Sequence, residues 1–243
     1  MNQANVAIGN FFFKYRNAVF PAVFAVMLLL MRPEVLLGSA ALDRFLGQLG
    51  VVIALAGELL RLATIGFDYI DRGGKNKQVY ASRLVHGGVY ALTRNPMYVG
   101  NAMIAVGMTM IAGAPLGYLV IIPFFLFVYQ AIIAAEEAYL RSRFGEDYDA
   151  YRRQVNRYLP SPARISGAFA GMRYDWKRAI KQDLSTIMGV LIGLVLLPFW
   201  RTLFLGGRHA AINDLPVTLT LALGVGALYA VLHAMKKRGK FAS

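Results

Sequence analysis

Hydrophobic positions in this chain come in long blocks rather than at the every-third-or-fourth spacing of a soluble helix. Six blocks stand out, Phe11–Met31, Phe45–Phe67, Met97–Ala112, Leu116–Ala135, Ile187–Leu205 and Leu215–Met235. Most approach the roughly 20 residues that cross about 30 Å of hydrocarbon, and the third is the shortest. The pattern predicts an all-α polytopic membrane protein with about six membrane helices. Gly113-Ala114-Pro115 between the third and fourth blocks predicts a tight antiparallel hairpin. The first block runs into Arg32-Pro33-Glu34 without an Ala-x-Ala-like cleavage site, so it reads as a retained helix.

Composition strengthens this reading. Hydrophobic residues make up 57% of the chain and charged residues 16%, against roughly 25% charged in a soluble domain. A net charge of +13 would suggest nucleic acid in a soluble protein, but its distribution points elsewhere. With the N-terminus on the cytoplasmic side, 21 of the 26 Lys and Arg residues fall inside, 4 outside, and Arg61 within the second helix. That asymmetry is what the positive-inside rule describes, and it places both termini in the cytoplasm. The basic charge then faces anionic lipid, and nucleic acid is not an expected partner. The absence of cysteine excludes disulfides, thiolate metal sites and a thiol nucleophile. His86, His209 and His233 show no ligand spacing, so no metal is expected. There is no phosphate-binding loop, and Gly224-Val225-Gly226 lies inside a helix, where glycine serves packing.

Polar residues gather in two inner segments. One, Asp68 to Pro96, ends in "HGGVYALTRNP". The other, "AAEEAYLRSRFGEDYDAYRRQVNRYLPSP", spaces Tyr139, Leu140, Phe144, Tyr148, Tyr151 and Val155 as an amphipathic interfacial helix, broken near Gly145 and ended by Pro160 and Pro162. Glu136 and Glu137 stand where the fourth hydrophobic block ends, where a carboxylate is solvated, paired or functional. Arg94 at a helix entry serves either to reach a lipid phosphate or to bind a ligand, and Pro96 suits a first turn. The hairpin brings Arg94 and the two glutamates to the same side, where they suit a zwitterionic ligand. Glu58 and Arg61 share a face of the second helix and are placed to pair, as structural or substrate-binding groups. "GGKNKQ", residues 73–78, reads as a basic loop, solvated, lipid-binding or closing over a cofactor. Trp176 and Trp200 read as interface anchors.

Together these residues resemble the isoprenylcysteine carboxyl methyltransferase and phospholipid methyltransferase superfamily of integral membrane enzymes. Gly88, Tyr90, Arg94, Asn95, Pro96, Tyr98 and Gly100 match its first motif. Glu136, Glu137 and Leu140 match the second, and Phe144, Gly145, Tyr148, Tyr151, Val155, Arg157 and Pro160 the third. The resemblance covers about residues 45–160. It implies S-adenosylmethionine as methyl donor, in a cytoplasmic pocket, and a lipid or lipophilic acceptor entering from the bilayer. It further implies Arg94 and Glu137 as residues acting on the reacting groups. Tyr90, Asn95, Pro96, Tyr98, Gly100, Glu136, Tyr151 and Pro160 are the implied cofactor contacts. Asn95 replaces the histidine typical of the prenylcysteine enzymes; it can hydrogen-bond but can neither carry a charge nor shuttle a proton, which weakens the case for a prenylcysteine acceptor. The expected organisation is an N-terminal helix (1–44), a methyltransferase core (45–162), and a basic amphipathic segment with two C-terminal helices (163–243). Membrane sterol reductases using NADPH share a related signature, but adjacent carboxylates oppose a 2′-phosphate. A transporter or scaffold is the non-enzymatic alternative, with no internal repeat to support it.

Overall fold

The computed structural model describes residues 3–68 and 79–241, and "GGKNKQ" lies outside the described residues. The described residues form seven α-helices in order: α1 Gln3–Leu30, α2 Ala40–Phe67, α3 Pro96–Ala112, α4 Ile122–Gln154, α5 Ile165–Ala168, α6 Trp176–Leu205 and α7 Gly207–Lys237. A π-helical turn, Gly117–Ile121, leads into α4. Among the described residues five helices are long and apolar enough to cross a membrane, and α3 is a shorter apolar helix beside them. The described residues contain no strand, only an isolated parallel bridge between Thr93 and Asn156.

Several helix bounds differ from those the hydrophobic blocks predict, each for a local reason. α6 starts at Trp176 rather than Ile187, because Asp175 caps it by accepting from the Arg178 amide at 2.9 Å. The basic stretch Trp176–Asp183 is thus the first two turns of a membrane helix. The amphipathic segment after Ala135 is not a separate helix. It continues α4, leaves helical geometry at Gly145 (φ 52°, ψ −121°) and ends at Gln154, before the prolines expected to stop it. Val155 turns extended (φ −118°, ψ 132°), and the residues after it bond to the entry of α3 instead of to their own helix.

The most extensive helix–helix contact is α2 against α3. A Cβ on Gly57 would lie 2.7 Å from the Gly100 carbonyl oxygen, and one on Gly100 would lie 2.7 Å from that of Gly57. Gly50 and Gly107 repeat the arrangement one heptad away, at 2.7 and 2.4 Å. Without a hydrophobic driving force in lipid, such backbone approach is what holds helices together. α1 packs on α4 through Phe20, Phe24, Phe125 and Tyr129. α6 packs on α2 and α3, and α7 on α6. At the α2 C-terminus, Arg178 donates to the Ile65 and Gly66 carbonyls at 2.9 and 2.8 Å, satisfying groups that the helix end leaves open. The last turn of α7 donates from Lys236 Nζ to the Lys181 carbonyl, so α7 ends at the end of the bundle where α6 begins. α1 begins there too, with Gly9 against Ala131 and Ala135 of α4. We call this the site end. At the far end Arg201 of α6 pairs with Asp43 of α2 against Gly113, whose φ of 65° ends α3.

Candidate functional site

The site is assembled from a loop, two helix ends and one extended segment. Gly88, at φ 56°, opens a 3-10 turn (Gly88–Ala91) that buries Tyr90. The chain then meets residues 155–161. The Arg94 amide donates to the Asn156 carbonyl (2.9 Å), and the Ser161 amide donates to that of Leu92 (3.0 Å). Fully buried Thr93 donates its hydroxyl to the Tyr158 carbonyl at 3.0 Å. Tyr151 donates to the Tyr90 carbonyl at 2.8 Å. Two motif segments some sixty residues apart in sequence are thus laced together through main chain.

Glu137 sits behind that lacing. Its carboxylate lies 3.2 Å from Arg94 and 2.9 Å from Arg157, and it accepts from Asn95 Nδ2 at 3.3 Å. The same amide donates to the Arg157 carbonyl at 3.1 Å. Arg94 also donates to the carbonyls of Arg152 (2.8 Å) and Val155 (3.3 Å). Glu136, one residue earlier and turned to another face of α4, accepts from the Tyr98 hydroxyl at 2.6 Å. Partial burial raises the Tyr158 phenol above its ordinary range, and as a neutral donor it bonds to Gln130 of α4.

These groups border a cavity of about 1100 Å³ bounded by α1, α2, α3, α4 and α6. Of the residues singled out in the sequence, Tyr90, Arg94, Asn95, Pro96, Tyr98, Glu136 and Tyr151 line it. Gly100, Glu137 and Pro160 do not. Gly100 faces Gly57 and the Arg61 side chain, where its missing Cβ permits the α2–α3 approach. Glu137 is enclosed by its two arginines, and Pro160 is exposed on the extended segment.

A second polar cluster lies deeper. Arg61, 1% exposed, is 3.7 Å from Glu58 on its own helix, as their spacing predicts. It also pairs with Asp183 of α6, donates to Asn101 of α3, and reaches Thr186 at 2.9 Å. Sequence reading missed Asp183, Thr186 and Asn101, although a buried arginine called for a further acid. Asp183 and Thr186, one turn apart just before the apolar run of α6, were the signal. It missed Arg16 as well. Arg16 lines the cavity with its guanidinium 4.3 Å from the Phe13 ring centre, and no described carboxylate forms an ion pair with it. Among the described residues no cluster of His, Cys, Asp and Glu is suited to a metal.

Comparison with known proteins bears on the family to which the region is similar. A family model for phospholipid methyltransferase matches residues 44–147. A protein-S-isoprenylcysteine O-methyltransferase of Schizosaccharomyces pombe is 35% identical over 94 residues, covering 39% of this chain and 39% of the relative. A probable protein-S-isoprenylcysteine O-methyltransferase of Oryza sativa subsp. indica is 31% identical over 121 residues, covering 48% of this chain and 62% of the relative. An uncharacterized protein of Haemophilus influenzae is matched over its whole length at 40% identity, 26% of this chain. The chain therefore spans only 39% and 62% of the two methyltransferase relatives. No solved structure matches. The matched region contains α3, the turn before it and the Glu136–Glu137 pair, and over these residues the chain is similar to phospholipid and isoprenylcysteine methyltransferases.

Proposed function

We propose that the protein transfers a methyl group from S-adenosylmethionine to a lipophilic acceptor at the cytoplasmic face of the membrane. The observation that carries this is the meeting of Tyr90, Asn95, Tyr98, Glu136 and Tyr151 at one end of a cavity whose other end is apolar. A volume of about 1100 Å³ exceeds the roughly 300–1,000 Å³ of a pocket for one small ligand, so a donor and part of an acceptor fit together. Hydroxyl, amide and carboxylate groups suit the hydroxyls and amino group of such a donor, and tyrosine rings suit its base. When bound, S-adenosylmethionine supplies a methyl group on a cationic sulfonium.

The chain contributes position and dryness rather than a covalent nucleophile. Tyr98 and Glu136, held to each other, present a fixed acceptor for ligand hydroxyl or amino donors. Asn95 is aimed by its bonds to Glu137 and the Arg157 carbonyl. Arg94 and Glu137 act as positioning residues, because their charges are spent on each other, on Arg157 and on main-chain carbonyls. Arg16 lines the cavity, its charge acting on Glu136 without a direct ion pair to any described carboxylate, and it is placed to meet an anionic group of donor or acceptor. The test is to reconstitute the protein in lipid nanodiscs with isotopically labelled donor and a total lipid extract. Label is expected in one lipid-soluble species, and its absence from every species overturns the reading. Donor binding by calorimetry should weaken in Arg16→Ala if the anion is the donor's, and stay unchanged if it is the acceptor's.

A further inference from the structure

The walls of the cavity change character at one depth. From the site end, α1 presents Arg16 and Asn17 and then Phe20, Phe24 and Leu28. α3 presents Asn95, Tyr98 and Asn101 and then Ile104, Ala105 and Met108. α6 presents Gln182, Ser185 and Thr186 and then Gly189, Gly193, Leu196 and Leu197. Three helices thus give a polar half and an apolar half. Phe20 to Leu28 and Gly189 to Leu197 each run about 12 Å along their helices.

The apolar half is open on one side. Pro21 and Ala25 of α1, and Ser185, Gly189 and Leu196 of α6, border the cavity and are nevertheless exposed. α1 is packed on α4, whereas α6 is packed on α2, α3 and α7. The opening therefore lies between α1 and α6 and faces where lipid would lie. On α6, Asp183, Val190 and Leu197 recur at heptad spacing and are buried, with Asp183 tied to Arg61. Gln182, Gly189 and Leu196 repeat that spacing one residue earlier, along the edge of the mouth. A Cβ added at Gly189 would meet no atom within 4 Å.

We infer that the acceptor's apolar chain enters through the α1–α6 mouth and lies in the apolar half of the cavity, with Gly189 setting the bulk and length of chain admitted. This rests on the methyl-transfer reading and adds to it which helices hold the chain. α6 lies beyond the family match at residues 44–147, so the chain selectivity belongs to a part of this protein outside that match.

The test uses the full chain in nanodiscs, with alkyl amines and alkyl carboxylates of graded chain length. Gly189→Leu is expected to lower kcat/KM for the longest acceptor about tenfold or more, with little change for the shortest. Donor affinity should be unchanged. Gly224→Leu on α7, where a Cβ also meets nothing within 4 Å, serves as control and should behave as wild type. Equal turnover by wild type and Gly189→Leu across the series overturns the inference, as does a loss independent of chain length. Should wild type transfer no methyl at all, the methyl-transfer reading falls, and the channel is read directly from an alkyl amine with a diazirine at the chain end. Cross-links within 189–197 or 20–28 support the channel, and cross-links confined to α7 or absent overturn it.

Discussion

The protein has two polar clusters built around arginine, and they hold different kinds of structure. Around Glu137, two arginines and Asn95 fasten a loop, and half the bonds run to main-chain carbonyls. Around Arg61, side chains from α2, α3 and α6 meet inside the helix bundle, where Arg61 reaches the side chains of Glu58, Asn101, Asp183 and Thr186. The first cluster borders water and the second lies among helices. The difference teaches where the charge goes. In each cluster most of the charge is used to fix geometry, and Tyr98, Glu136 and Arg16 face the cavity from outside both clusters.

That contrast is open to breaking from either side. The largest effect is expected from Arg61→Ala, which leaves Asp183 and Glu58 buried beside a lost cation. Breaking a buried pair costs about 3–5 kcal/mol, so the thermal midpoint should fall steeply and α6 become accessible to protease. Restoring stability by Arg61→Met combined with Asp183→Leu and Glu58→Leu, with donor affinity unchanged, would show that the cluster is structural rather than ligand-binding. A smaller effect is expected from Glu137→Gln. Losing a charged hydrogen-bond partner costs about 1.5–3 kcal/mol, concentrated in the loop rather than the bundle. Hydrogen exchange should rise at residues 92–95 and 155–161, while the exchange of α2 and α6 stays as in wild type. Tyr98→Phe removes one bond to Glu136 and should weaken donor affinity about tenfold, equivalent to about 1.4 kcal/mol, with little change in midpoint. The smallest effect is Asp175→Ala, which removes the α6 cap for about 1 kcal/mol and leaves donor affinity alone.

Membrane helices and the convergence of the α3 entry with the end of α4 were legible in the sequence, because hydrophobic block length and motif spacing are both local signals. The lacing of residues 92–95 to 155–161 was not. Its bonds are main-chain bonds, and nothing in the side chains of Val155 or Asn156 announces them. Gly100 was legible as a motif member but not as a packing residue, since its partner Gly57 is forty-three positions away in another helix. Glu58–Arg61 was visible from its three-residue spacing, whereas Asp183 was hidden by distance along the chain. Arg16 sat in a helix read only as a retained membrane helix.

Distance along the chain also has a consequence for how the protein is made. Arg61 and Asp183 are 122 residues apart. At about 5–20 residues per second, synthesis of that interval takes roughly 6–24 seconds. For all of that time α2 carries a cation into or beside the membrane without its partner from α6. Glu58, one turn away on the same helix, is the acid already present. It gives Arg61 a provisional counter-charge during insertion, and Asp183 joins when α6 arrives. Capture of α6 by a charge that has been waiting for it then precedes the docking of α7, and the mouth between α1 and α6 forms no earlier than that moment.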